Sequence, residues 1–215
     1  MINKEGYGII TVTAAVLAGL IIIYLFENST FLLAVIILFG LLFVFHFFFF
    51  RDPDRMPPAE GNLIIAPADG RIIKVETVKE NLYVKDEVQL VSIFMSIFNV
   101  HVNRIPLSGK VELIKHKKGR FMAAWADEAI EHNEQVIIGI NNRKYGKILF
   151  VQIAGLIARR IICNLKEGDE VEKGKRFGII KYGSRVDLYL PKQVSLKIKN
   201  GDSVKAGQSI IGEFI

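Results

Sequence analysis

Cysteine is all but missing from this chain of 215 residues, since Cys163 stands alone. That excludes an intrachain disulfide and any metal site built on several thiolates, and no metal is expected. Cys163 sits in the apolar run Arg160-Ile161-Ile162-Cys163 and reads as a buried, inert thiol. Charge is missing from two whole stretches, residues 9–26 and 31–50, the second polar only at His46. Each approaches or reaches the roughly 20 apolar residues a helix needs to cross a bilayer core. The link between them, Glu27-Asn28-Ser29-Thr30, is short and polar, so a two-helix transmembrane hairpin is expected. An A-x-A-like cleavage site is also lacking and a second apolar run follows at once, which argues against a secretory signal.

What charge there is lies elsewhere. Residues 1–50 carry Lys4 against Glu5 and Glu27, whereas residues 51–215 carry 27 basic and 20 acidic side chains, net +7. Lys4, Arg51 and Arg55 flank the apolar runs and only Glu27 marks the tip. Basic flanks favour the cytoplasmic side, which places the rest of the chain there, at the cell membrane. A basic domain beside a bilayer suits an anionic lipid surface. Nucleic acid is not expected as a partner, because no binding module is recognisable. The organisation read from this is a transmembrane hairpin over 1–50, a proline-rich linker over 51–60 and a separate domain over 61–215.

Within that domain, β-branched segments alternate with Gly, Asp and Asn turns at 63–65, 71–75, 88–95, 110–114, 135–140, 148–153 and 160–162. Many short strands with turn signals predict a mainly β sandwich or barrel. Only 120–131 reads as helix or loop. Two patterns repeat: G-D-x-V-x-x-G at 168–174 and 201–207, offset by 33, and P-x-x-G-x-I/V at 67–72 and 106–111. Together they resemble the hammerhead turns of biotinyl/lipoyl-like barrel-sandwich domains. The modification lysine of carrier domains, flanked by methionines, is absent, which weakens a swinging-arm role.

Chemistry concentrates in KYGSRVD, residues 181–187. Glycine weakens a strand interior, yet Gly183-Ser184 falls inside what reads as one strand over 177–190. Of the four histidines, His46 lies in an apolar run, His116 in a basic turn and His132 in a polar loop. His101, in the largely apolar Ile97–Pro106 stretch, is the candidate base. Asp69, in Ala-Pro-Ala-Asp-Gly, is either an ordinary turn residue or the group that orients His101. An aspartate, a histidine and a serine form a triad in any chain order, and here the attacked bond can be internal. Ser184 Oγ can reach the Gly183 carbonyl in an N-to-O acyl shift, at the high effective molarity of an intramolecular attack.

FFRDPDR (49–55), APADG (66–70), FNVHVNRIPLSGKV (98–111) and YGSRVD (182–187), in that order behind a membrane hairpin, resemble the short, membrane-anchored form of phosphatidylserine decarboxylase proenzymes, archaeal relatives included. The resemblance implies self-cleavage between Gly183 and Ser184 into a β chain of 1–183 and an α chain of 184–215. Ser184 then becomes a covalent pyruvoyl cofactor. That carbonyl would form a Schiff base with the amine of an anionic serine phospholipid, which loses carbon dioxide to give the ethanolamine lipid. Asp69 and His101 match the family's processing residues, and His101 is the candidate for proton transfer. The longer bacterial form has a second histidine where this chain has Arg104. Arg104, Arg120, Trp125 and Arg185 are the candidates for binding substrate. Arg120 and Trp125 form part of a basic–aromatic loop read either as dipping into the interface or as packed on the core. Arg185 and Asp187 are expected to pair, ahead of a substrate role. The same chemistry on archaetidylserine is the close alternative, a non-enzymatic membrane adaptor is the rival of another class, and a homodimer is left open.

Overall fold

The computed structural model describes residues 1–119, 133–155, 160–181 and 183–215. Arg120, Trp125 and the 120–131 segment expected to be helix or loop lie outside the described residues. The chain forms two compact units, 1–54 and 55–215.

In the first unit, α1 (Tyr7–Glu27) and α2 (Thr30–Phe49) are each long and apolar enough to cross a membrane. Asn28 ends α1 in the left-handed conformation, φ 41°, its N–H returning to the Tyr24 carbonyl, which turns the chain within two residues. His46 is explained locally. Its Nδ1 lies 3.2 Å from the Thr13 hydroxyl, which itself donates to the Ile9 carbonyl at 2.7 Å. The histidine thus fastens one helix to the other, a structural role.

The second unit is mainly β. Eight strands form a curled, half-barrel sheet. Their order across it is β13 (Ser203–Val204), β2 (Gly70–Lys79), β3 (Glu87–Met95), β11 (Ser184–Pro191), β7 (Gly146–Ala154), β6 (Gln135–Asn142), β5 (Gly109–Lys117) and β9 (Glu170–Val171). Two three-stranded sheets accompany it. One is β1 (Leu63–Ile65), β14 (Ile210–Phe214) and β12 (Val194–Leu196); the other is β4 (Val102–Arg104), β10 (Arg176–Ile180) and β8 (Ile161–Cys163). The main core lies on one face of the large sheet, where Val186, Leu188 and Leu190 of β11 meet Ile93, Ile138 and Phe150. Because side chains alternate along a strand, the odd-numbered residues of β11 face the other way. There Tyr189 packs against Leu149, Val151 and Ile153.

The repeats in the sequence are the two halves of this domain. β2 and β5 each carry a register shift, after Ile72 and after Val111. Ser203 pairs with Arg71 just as Glu170 pairs with Lys110. Asp202 and Asp169 each accept the N–H three residues before them, and Gly168, Gly174, Gly201 and Gly207 all have positive φ. Glycine takes that conformation without the penalty a Cβ brings, so the G-D-x-V-x-x-G pattern is a record of backbone geometry. By this correspondence β11 and β7 are the equivalent central strands.

The β2–β3 connection is tied down by one carboxylate. Glu80 is buried and accepts from the backbone N–H groups of Leu82, Tyr83, Val84 and Lys85 at 2.5–3.3 Å. Desolvation raises the pKa of this group, but the four donors together outweigh it and hold the carboxyl below the usual range. A lowered folded-state pKa contributes stability that is full above the ordinary carboxylate value and fades as pH falls through the folded one. The melting temperature of the detergent-solubilised chain should therefore drop on acidification below about pH 4. Glu80→Gln should start lower at neutral pH and show a shallower acid drop; parallel curves would contradict this role.

Candidate active site

The Gly183-Ser184 pair does not sit within one strand. The expected 177–190 strand breaks into β10 and β11, which belong to different sheets. Gly183 lies in the break with φ +65°, and a Cβ built there would meet nothing within 4 Å. The conformation, rather than crowding, is what calls for glycine. Ser184 is the first residue of β11, flanked by Met95 of β3 and Ala154 of β7. A change of sheet needs a sharp bend, and the bend puts the 183–184 peptide at a strand end rather than in a ladder.

Ser184 is fully buried, and its hydroxyl donates to Met95 Sδ at 3.3 Å. A thioether is a weak acceptor, so the contact aims the hydroxyl without engaging it strongly. From there a polar chain runs through the core. Asn103 Nδ2 lies 3.9 Å from the same sulfur, and Gln152 Nε2 donates to Asn103 Oδ1 at 2.7 Å. All four side chains are fully buried. Gln152 Oε1 has no hydrogen-bond partner among the described residues, and a buried acceptor in that condition is costly unless something fills it. Met95, Asn103 and Gln152 are not among the candidates that the sequence pattern singles out. Gln152, a lone polar residue inside the apolar 148–153 strand, was the signal available.

His101 is also fully buried, just before β4. Its Nδ1 lies 3.0 Å from the Asn99 carbonyl. A carbonyl only accepts, so Nδ1 carries the proton, and in the neutral form of the ring the lone pair is on Nε2. The geometry fixes the tautomer a general base needs. The Asn99 turn that does this is itself braced, with Asn99 Oδ1 accepting from both the backbone and the hydroxyl of Ser96 at 2.9 Å.

Asp69 is held elsewhere. Arg55 grips its carboxylate with two nitrogens, the second contact at 2.9 Å, and Ala206 N–H donates to Oδ1 at 2.8 Å. Arg55 also donates to the Ala206 carbonyl at 2.8 Å. In the other half of the domain the equivalent of Asp69 is Ser108, whose hydroxyl accepts from Lys173 N–H at 2.9 Å. The turn needs an acceptor here, which a serine supplies; an aspartate with its own arginine exceeds that need.

The remaining candidates separate. Arg104 is buried and donates to the Gly174 carbonyl at 3.0 Å, a bond that closes the hammerhead turn. Arg185 faces away from Ser184. It is fully buried, donates through Nε and Nη2 to the two oxygens of Asp187 at 2.6 and 2.9 Å, and reaches the Ser92 hydroxyl at 2.8 Å. Burial pushes the Asp187 carboxyl up, against the opposing pull of Arg185. Cys163 is partly buried, and burial raises its thiol too, as an inert cysteine requires. Among the described residues no cluster of His, Cys, Asp and Glu could hold a metal ion.

A strand-initial serine behind a left-handed glycine, with a tautomer-fixed histidine in the same domain, suits self-processing chemistry. Comparison with known proteins decides the family. The phosphatidylserine decarboxylase family model matches residues 42–212. The chain belongs to the phosphatidylserine decarboxylase family. The "phosphatidylserine decarboxylase proenzyme" of Geobacter metallireducens is 42% identical over 98% of this chain and 95% of its own length. Those of Desulfotalea psychrophila and Rickettsia akari are 45% and 48% identical, over 83% and 78% of this chain and 83% and 74% of theirs. As a member of the phosphatidylserine decarboxylase family, the chain is a decarboxylase made as a proenzyme.

Proposed function

We propose that this chain cleaves itself between Gly183 and Ser184 and then decarboxylates phosphatidylserine to phosphatidylethanolamine. The observation that carries the reading is the placement of Ser184. It is a fully buried serine at the start of a central strand, preceded by a glycine in the left-handed conformation at φ +65°. His101 Nε2 takes the proton as Ser184 Oγ adds to the Gly183 carbonyl. The 183–184 C–N bond breaks and an ester joins Gly183 to the Ser184 side chain. Loss of the Ser184 Cα proton expels the Gly183 carboxylate and separates the β chain, 1–183, from the α chain, 184–215. Asp69 is held by Arg55 in the arrangement described, so orienting His101 requires that ion pair to be exchanged.

The buried surroundings of Ser184 suit a pyruvoyl group derived from it. Its register partners Met95 and Ala154 are buried and apolar, and Gln152 Oε1 offers an acceptor with no partner among the described residues. When formed, that group supplies the electron sink for loss of carbon dioxide. The chain's own residues do the rest: Gln152 accepts from the substrate's amine, Asn103 and Met95 hold the floor, and His101 moves a proton. Phosphatidylserine is favoured over archaetidylserine because it is the lipid in the relatives' names. Lys4, Arg51 and Arg55 against Glu27 support a catalytic domain on the cytoplasmic side of the cell membrane. The two apolar helices keep enzyme and lipid in the same bilayer. A non-enzymatic adaptor would have no use for a buried Ser184 and a fixed His101 tautomer.

Intact mass of the purified chain under denaturing conditions tests the reading. Two fragments dividing after Gly183 are expected, the smaller with a blocked, pyruvoyl-type N-terminus. A single full-length mass, with no carbon dioxide released from serine lipids, would move the chain to the adaptor class.

A further inference from the structure

The two halves of the domain present corresponding grooves, and they differ in charge. The first, of about 450 Å³, is lined by Asp69, Gly70, Arg71, Ser96, Asn99 and Lys205, with Phe94 and the β13 residues completing it. The second, of about 510 Å³, is lined by the matching Ser108, Gly109 and Lys110, with Glu170 and Glu172 in place of Ser203 and Lys205. The shared backbone is demonstrable. A Cβ on Gly70 would lie 2.1 Å from the Phe94 carbonyl oxygen, and one on Gly109 would lie 2.6 Å from that of Asn141. Both glycines are required by the same close strand approach.

Charge is not shared. In the second groove Lys110, Arg143 and Lys144 are matched by Glu112, Glu170 and Glu172. In the first, Arg71 and Lys205 face a single acid, Asp69, which Arg55 already neutralises. The fold therefore does not dictate the positive charge. Arg71 is also held in place, its Nε donating to the Gly201 carbonyl at 3.0 Å. By register Arg71 and Phe94 share the Arg185 face of the sheet, at the end where Ser184 begins β11, and Asn99 of the same groove supplies the carbonyl that fixes His101. A phosphoserine headgroup has only a few bonds between its amine-bearing carbon and its phosphorus.

We infer that the Arg71–Lys205 groove binds the phosphodiester of the substrate headgroup, an assignment that rests on the decarboxylase reading above. Arg71 and Lys205 supply charge-assisted donors, and the Ser96 hydroxyl adds a neutral one. The serine amine then reaches round the end of the sheet toward Ser184 while the glycerol and tails lead away. Specificity for a lipid headgroup over free serine follows from this pair of cations.

The test uses the full chain in detergent as Ser184→Ala, which cannot cleave itself, so that binding is read apart from processing. Titration with glycerophosphoserine, followed by calorimetry, is expected to show binding that weakens with salt and exceeds that of inorganic phosphate. Adding Arg71→Gln and Lys205→Gln, both exposed residues, should weaken it about tenfold or more. Lys110→Gln with Lys144→Gln, in the matching groove, should leave it unchanged. In the self-processing chain the first pair should raise KM by a similar factor with kcat nearly constant. Undiminished glycerophosphoserine binding in Arg71→Gln/Lys205→Gln would overturn the assignment, as would equal affinity for inorganic phosphate, which would mark a free-phosphate site. An uncleaved wild-type chain would sink the decarboxylase reading alone and leave the binding result standing.

Discussion

His101→Asn is expected to give a folded precursor that processes itself about a hundredfold to ten-thousandfold more slowly than the parent chain, the usual range for losing a positioned general base. Asparagine is the informative substitution. Its amide can still donate to the Asn99 carbonyl, the bond His101 Nδ1 makes at 3.0 Å, so the Ser96–Val100 turn keeps its anchor. What it lacks is a nitrogen lone pair able to take the Ser184 proton. His101→Ala would confound the two effects, because truncating a fully buried side chain also leaves a cavity. The time course of fragment appearance on a denaturing gel reads the rate, and an unchanged melting temperature certifies the fold. Processing at the parental rate in His101→Asn would remove His101 from the mechanism.

Asp187→Ala should be the most damaging single change to stability. It strands Arg185, a guanidinium with no exposed surface, which then keeps only the Ser92 hydroxyl among the contacts described above. Removing one partner of a buried ion pair costs about 3–5 kcal/mol, a large part of the stability of a domain this size. The expected result is loss of soluble, monodisperse protein after detergent extraction, with little fragment formation. The double change Arg185→Met/Asp187→Leu discriminates cause. If the damage is the stranded charge, the double variant recovers much of the stability, because well-packed apolar residues can replace a buried pair at little cost. If the double variant is as poor as the single one, the pair does something that packing cannot replace. Recovery would also confirm that Arg185 serves the sheet, on the face opposite Ser184, rather than the substrate.

Much was legible in the sequence because it is local. The two uncharged runs can only be buried in protein or in lipid, and the short polar link makes them a hairpin. The strand positions followed from β-branched segments between turns: 63–65 was met by Leu63–Ile65, 88–95 by Glu87–Met95, and 135–140 by Gln135–Asn142. The G-D-x-V-x-x-G repeat was legible because glycine at positive φ is a property of each turn by itself. Gly183 and Ser184 stood out for the same reason, since a glycine interrupting a strand pattern needs an explanation wherever it lies.

Contacts between distant segments were decided only by the fold. Nothing near Asp69 in the chain announces that its carboxylate will be gripped by Arg55 and capped by Ala206, because side chains that far apart meet only when β13 docks on β2. The break between β10 and β11 had the same origin: an apolar run continues through 177–190, and only the need to serve two sheets forces it to bend at Gly183. The Gln152–Asn103–Met95–Ser184 chain joins three strands and the start of a fourth, so no spacing in the sequence could encode it. Sequence alone therefore determined which residues are chemically capable and which backbone turns are obligatory, since those depend on side-chain type and local conformation. The tertiary structure decided which capable groups face Ser184, which face away with Arg185, and which of two equivalent grooves is left positive. Long-range packing sets those choices, and periodicity does not report it.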